Sequence, residues 1–423
     1  MMPCPMRLRP YLTLLRHNPA FARLFVAQLI SFGGDWFATV AILGLALELT
    51  GSAGVAALLL VMQEGAFALA SPFAGVLADR LDRRRLLVAA DLLRVPVALS
   101  LLLVHDAGTL WIAALATAVL SVGAAAFEPT SSASLPNLVD DADLPAANVL
   151  LGASWGTMLA VGAALGGVVV VLAGREAAFV INAASFGLSA LLIVGIRRPF
   201  REAAPATGHA ANRGGLGGSL GAIGHVVGYA REHRTLAVLL LSKTTFGVGG
   251  GVIVMLAVFG DSVLGGGDAG IGILFAARGL GALIGPFLAR SVVDLSDRGL
   301  VLGIGASFGV FAVSYALLPL MPILPLAAVC AFTAHLGGGA QWTLSTYGLQ
   351  RAAPDAIRGR VFSLDYGLVG VSMAVSTLLV GYLADRNSPS VAVWAMVALA
   401  GTAAVVWLAF ARPIWRRPAS GEG

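Results

Sequence analysis

The chain has 423 residues, of which 58% are hydrophobic and only 12% charged, against about 45–50% and about 25% in soluble globular domains. That balance excludes an ordinary soluble globule and is enough for about a dozen membrane-spanning helices of roughly 20 residues each. The formal charge of +5 would suit a nucleic-acid partner only if the basic residues formed a patch, and along the chain they do not.

Apolar runs fall at 20–47, 53–78, 86–104, 110–134, 147–173, 176–196, 235–259, 268–290, 299–318, 323–347, 359–384 and 389–411. The first follows Arg7, Arg9 and Arg16 but continues without a small-residue cleavage site at signal-peptide distance, so it reads as helix 1. Cys4 stands in a polar tail and Cys330 in an apolar run, which suggests no disulfide. The widest gap, 197–234, is rich in Gly, Ala and Arg and reads as a cytoplasmic linker. The expected fold is all-α and membrane-integral: twelve helices in two six-helix bundles, 1–196 and 235–423, the second with a cytoplasmic tail.

Cytoplasmic loops retain Lys and Arg. With the N-terminus inside, 21 of the 27 basic residues fall in inside segments and only Arg175 and Arg386 in outside ones. Both termini are therefore expected in the cytoplasm, and the positive charge is a topology signal with little left for nucleic acid to explain. The halves also repeat at an offset of 214 residues: Ser31-Phe32-Gly33 with Thr245-Phe246-Gly247, Ser71-Pro72-Phe73 with Gly285-Pro286-Phe287, and Val139-Asp140-Asp141 with Ala353-Pro354-Asp355. Two halves in the same orientation are parallel repeats, an architecture that places a substrate site between them.

Ionisable residues inside a spanning helix are costly and so are functional candidates. Helix 1 carries Arg23 and Asp35, the latter sharing a face with Gln28, Ser31 and Thr39. Glu64 lies in helix 2, and Asp91 and Arg94 stand three apart in helix 3, at the spacing of a same-face pair. Helix 4 carries Glu128 with Ser121, Ser131 and Ser132. Asp35 and Glu128 are the candidate proton carriers, because apolar burial moves a carboxyl toward the range in which it can load and release a proton; the alternative for each is a permanent ion pair. Lys243, the chain's only lysine, lies deep in helix 7 and needs a counter-charge or water. Arg278 in helix 8 is repeat-equivalent to Glu64, which suggests a pair or a symmetric lining. His335 in helix 10 reads as a substrate contact or a hydrogen-bonded packing histidine, and Asp365 lies in helix 11.

Between helices 2 and 3 stands Gly75-Val76-Leu77-Ala78-Asp79-Arg80-Leu81-Asp82-Arg83-Arg84-Arg85. This closely resembles the loop motif of the major facilitator superfamily, with Asp82 where many members have Gly. Helix count, linker and parallel repeats extend the resemblance over nearly the whole chain. It implies a gating role for Gly75, Asp79, Arg80 and Arg83, in which Asp79 complements a helix N-terminus and the arginines pair across the halves. Phe127-Glu128-Pro129, Ala133 through Val139 with Ala147-Asn148, Asn182 through Phe186, and Pro354-Asp355 with Arg358-Gly359-Arg360-Val361 look like loop and helix patterns of its macrolide-efflux and enterobactin-exporter branch. Gly162-Ala163-Ala164-Leu165-Gly166-Gly167 is similar to the antiporter motif of drug exporters, with Ala163 in place of its proline.

No G-x-x-x-x-G-K-[ST] loop occurs and no Cys/His cluster has metal spacing, so neither ATP hydrolysis nor a covalent reaction is indicated and no cofactor is expected. The resemblance implies a drug:proton antiporter of a bacterial cytoplasmic membrane. It would export small amphipathic drugs or siderophore-like metabolites by alternating access, with the small molecule, protons and the lipid bilayer as partners and the monomer as the family's habit. The alternatives are metabolite uptake or facilitation, and a non-transporting sensor or scaffold.

Overall fold

The computed structural model describes residues 9–200, Gly224 and 226–416. These form α1 (Arg9–His17), α2 (Pro19–Thr50), α3 (Ala53–Arg80), α4 (Arg83–Ser100), α5 (Leu110–Leu138), α6 (Leu144–Val194), α7 (226–232), α8 (Arg234–Gly250), α9 (Ile253–Val258), α10 (Gly267–Val292), α11 (Asp297–Leu317), α12 (Leu324–Ala352), α13 (Asp355–Arg386) and α14 (Pro389–Trp415). Most of the expected linker lies outside the described residues.

The boundaries follow local chemistry. Asn18 accepts from the Phe21 N–H at 3.0 Å ahead of Pro19 at the first helical position, and its amide donates to the Leu138 carbonyl at 2.7 Å, tying α2 to the end of α5. Ser52 caps α3. Asp82 accepts from the Arg85 N–H at 2.8 Å and caps α4. The departure from glycine in the loop motif therefore supplies a helix cap.

Among the described residues, ten helical segments are long and apolar enough to cross a membrane. One of them, α6, runs for 51 residues, about 77 Å at 1.5 Å per residue and more than twice the hydrocarbon thickness. It breaks at Gly174, whose φ of 83° and ψ of 166° suit only a residue without Cβ. The 29-residue α12 is long enough to span but carries His335, Gln341 and three consecutive glycines, and it is not among the ten.

The described residues divide into two compact units. The first holds 9–200, 254–280 and 322–328; the second holds 226–253, 281–321 and 329–416. In the first unit, α6 packs along α2 through small residues. A Cβ on Gly162 would lie 3.3 Å from the Gly33 Cα, one on Gly166 3.0 Å from the Phe37 Cα, and one on Gly167 3.1 Å from the Gly272 Cα of α10. The glycine stripe of helix 5 is thus a close-approach surface for two neighbours. Gly167→Leu is expected to destabilise the protein by about 1–3 kcal/mol through overpacking, read as a lowered melting temperature, while Val168→Leu on the exposed face leaves it unchanged.

Candidate functional site

The first unit gathers a cluster of charges within its helices. Arg94 of α4, fully buried, lies over the Phe186 ring at 4.0 Å and the Phe127 ring at 5.7 Å. Its stem runs across Gly123 of α5, where a Cβ would meet the Arg94 Cδ at 2.6 Å. Its guanidinium contacts the Asp91 carboxylate three residues before it, stands 3.5 Å from the Asp35 carboxylate of α2 and donates to Ser31 Oγ at 3.0 Å. One guanidinium therefore serves two carboxylates in different environments. Asp91 is sealed, whereas the Asp35 side chain is 26% exposed.

The polar stripe expected around Asp35 is a network. Gln28 donates to Ser154 Oγ at 2.7 Å and accepts from Ser131 Oγ at 3.1 Å, joining α2, α6 and α5, while Thr39 Oγ1 donates to the Asp35 carbonyl at 2.8 Å. Glu128 is half-buried on α5, within electrostatic reach of Asp35, Glu64 and Arg94, and Arg278 acts on Glu64 in the same way. Asp35, Glu64, Asp91 and Glu128 thus face Arg94 and Arg278, which leaves the cluster net negative when all six are ionised.

The loop motif is placed only in part. Arg83 donates to the Ala133 carbonyl at 2.6 Å and the Phe200 carbonyl at 3.4 Å, both in the first unit, and Arg80 is exposed. The surroundings of Gly75 and the side chain of Asp79 lie outside what the structure describes.

A second cluster was not singled out in the sequence. Arg175, immediately after the Gly174 break, contacts Glu48 at the end of α2 and reaches Asp268 at the start of α10 at 2.9 Å. A Cβ on Gly44 would overlap the Asp268 carboxylate, so this glycine makes its seat. The signal available in the sequence was an arginine in a loop expected on the outer side, where positive charge is otherwise scarce. Arg175→Ala removes charge-assisted hydrogen bonds to the shielded Asp268 and is expected to cost about 1.5–3 kcal/mol. Glu48 is mostly exposed, and Glu48→Ala should cost only about 0–1 kcal/mol. Thermal melts of the two variants check the order.

In the second unit, Lys243 of α8 finds its counter-charge in Asp365 of α13, with both side chains fully buried. His335, also buried, lies 2.9 Å from the Tyr315 hydroxyl through Nε2, edge-on to Phe311.

The profile of a family described as "Transmembrane secretion effector" matches residues 12–419. The chain is similar to the putative bacilysin exporter BacE of Bacillus subtilis, with 26% identity over 376 residues, 86% of this chain and 88% of that one. It is similar also to the multidrug efflux pump Tap of Mycobacterium tuberculosis, with 27% identity over 376 residues and 87% of each chain covered. Among solved structures, a bacterial homologue of the human lysosomal transporter Spinster aligns with a TM-score of 0.71 at 15% identity, covering 96% of this chain and 100% of that one. A POT family transporter aligns with a TM-score of 0.71 at 14% identity, covering 93% and 96%; both likenesses concern the fold. With a helical membrane fold and a profile that spans nearly its whole length, the chain belongs to the transmembrane secretion effector family of the major facilitator superfamily, and it is a multi-pass bacterial membrane transporter and not an enzyme.

Proposed function

We propose that the protein is a proton-coupled exporter of small amphipathic compounds that works by alternating access, with Asp35 as the principal proton carrier. The observation that carries this reading is the sharing of Arg94 between the sealed Asp91 and the partly exposed Asp35. Two carboxylates against one guanidinium leave one negative charge uncompensated, and protonating the accessible one removes it at least cost. Once Asp35 is neutral, Asp91 is the one charged partner left to Arg94 at contact distance among the described residues, and the face of α2 that bears Asp35 keeps only the Ser31 hydrogen bond to it in place of an ion pair. Glu128 is the second candidate, set among like charges with no ion pair at contact distance among the described residues.

A net-negative cluster also favours substrates that are cations or carry a positive end. Export as the direction, with drugs or siderophore-like metabolites as substrates, is supported by the relatives named as exporters and efflux pumps. Twelve spans follow if α6 is divided at Gly174 and α12 is counted. The parallel halves 1–196 and 235–423 then return both termini to the cytoplasmic side of the inner membrane, as the arginine distribution requires.

The test is substrate-triggered proton movement in proteoliposomes, read with a pH-sensitive dye while drugs, dyes and siderophores are added. Proton flux present in the wild type and lost in D35N or E128N supports antiport and identifies the carrier. Transport with unchanged pH dependence in both variants would sink the mechanism.

A further inference from the structure

The Lys243 ammonium sits inside a cage of aromatic faces. Its Nζ is 4.8 Å from the Trp342 ring centroid, 4.9 Å from that of Tyr366 and 5.8 Å from that of Phe362, with Asp365 as the fourth wall. The lysine comes from α8, the tryptophan from α12 and the other three residues from α13, all within the second unit. Aromatic faces around a carboxylate form a receptor for organic cations, since ring quadrupoles and a buried anion both attract positive charge from which water has been removed.

A lysine ammonium is a poor match for such a box. It is compact, strongly hydrated and carries three N–H donors. Asp365 takes one of them, and ring faces accept only weakly. The fit is incomplete on the anion's side too, because Asp365 Oδ1 is buried with no hydrogen-bond partner. A permanent structural pair would be expected to satisfy both oxygens. The cage also reaches the surface, since Tyr366 is 51% exposed and Trp342 and Phe362 are each partly exposed.

We propose that Trp342, Phe362, Tyr366 and Asp365 form a subsite for the ammonium group of an organic cation, in which the Lys243 side chain is a built-in occupant that an incoming cation displaces. The proposal names the substrate's charged end and rests on the reading of the protein as an exporter of amphipathic compounds. It concerns a site in the second unit that takes no part in the proton coupling assigned to Asp35. No bond is made or broken: one cation replaces another beside the same anion. A substrate N–H or polarised methyl group would also meet the Asp365 oxygen that lacks a partner.

The experiment is cation binding to the purified full-length protein in detergent, with tetramethylammonium chloride as probe and sodium chloride at equal ionic strength as reference. Removing the occupant in K243A vacates the cage but leaves the anion, so tetramethylammonium should bind at least about tenfold more tightly than to wild type. It should also raise the melting temperature of K243A by about 3–5 °C over the sodium reference. Both effects should vanish in K243A/D365N and in K243A/W342L. K243Q keeps most of the stem and one N–H toward Asp365, so it provides a folded substitute should K243A not accumulate, and it should show the same cation-specific gain at smaller size. An equal response to both salts in K243A or K243Q would overturn the proposal, as would a tetramethylammonium response that survives D365N or W342L. Transport is not read, so loss of this result leaves the proton-coupling assay standing, and failure of that assay leaves this one interpretable.

Discussion

In D35N, substrate-driven proton flux is expected to fall about 100-fold or more, the scale on which removal of a positioned proton-transfer group is felt, while the protein keeps its fold. The amide is isosteric with the carboxylic acid and holds the site in a form that resembles the protonated state. Among the described residues Arg94 then has Asp91 as its only carboxylate at contact distance, and the ionic part of the α2–α4 tie is released at every pH while the hydrogen bond to Ser31 remains. Substrate-for-substrate exchange across the liposome membrane, which needs no proton cycle, should persist in D35N and lose its dependence on pH. Measuring exchange and proton flux on the same preparation separates loss of coupling from loss of binding. If D35N retained full coupled flux, the shared guanidinium would be structural and the carrier would have to be sought at Glu128.

Arg94→Met should have the opposite profile, a large loss of stability. Its guanidinium is buried against Phe186 and Phe127 and compensates a carboxylate that is itself sealed. Removing one partner of a buried pair leaves an uncompensated charge, at a cost of about 3–5 kcal/mol. The double variant R94M/D91N removes that orphan and should recover much of the loss in a thermal melt. Arg94→Lys should recover little, because a lysine ammonium cannot lie flat on the Phe186 face or reach two carboxylates and Ser31 with a planar fork. If R94M and R94M/D91N melt together well below wild type, the packing of the arginine over the rings matters more than its charge.

Much of the architecture is local in origin and could be read residue by residue. The apolar runs fall on helices of the structure, two of them, 147–173 and 176–196, on the single helix α6. The Asp91–Arg94 pair follows from a spacing of three on one helix. A short element held by a few apolar contacts was less legible. α1 is nine residues long and precedes the first apolar run; it is held by Leu14, which is buried in a cluster with Phe21, Leu135 and Ala147. The break in α6, by contrast, falls at Gly174, where the apolar runs 147–173 and 176–196 meet.

By itself, the sequence determined the membrane class, the positions of the apolar runs, the uneven placing of the arginines along the chain and the family-bearing loop motif. Each depends on composition or on residues close together in the chain, where periodicity and hydropathy report the physics directly. The partners of the buried charges were decided only by tertiary structure. Spacing along one helix reveals which residues share a face, but not which face of which other helix it meets. Asp35 reaches Arg94 across two helices, Arg175 draws together Glu48 and Asp268 from distant segments, and Lys243 closes on Asp365 from 122 residues away. In an apolar interior each such charge is too costly to leave alone, so a need for partners was legible in the sequence, and their identity waited on the packing of the helices.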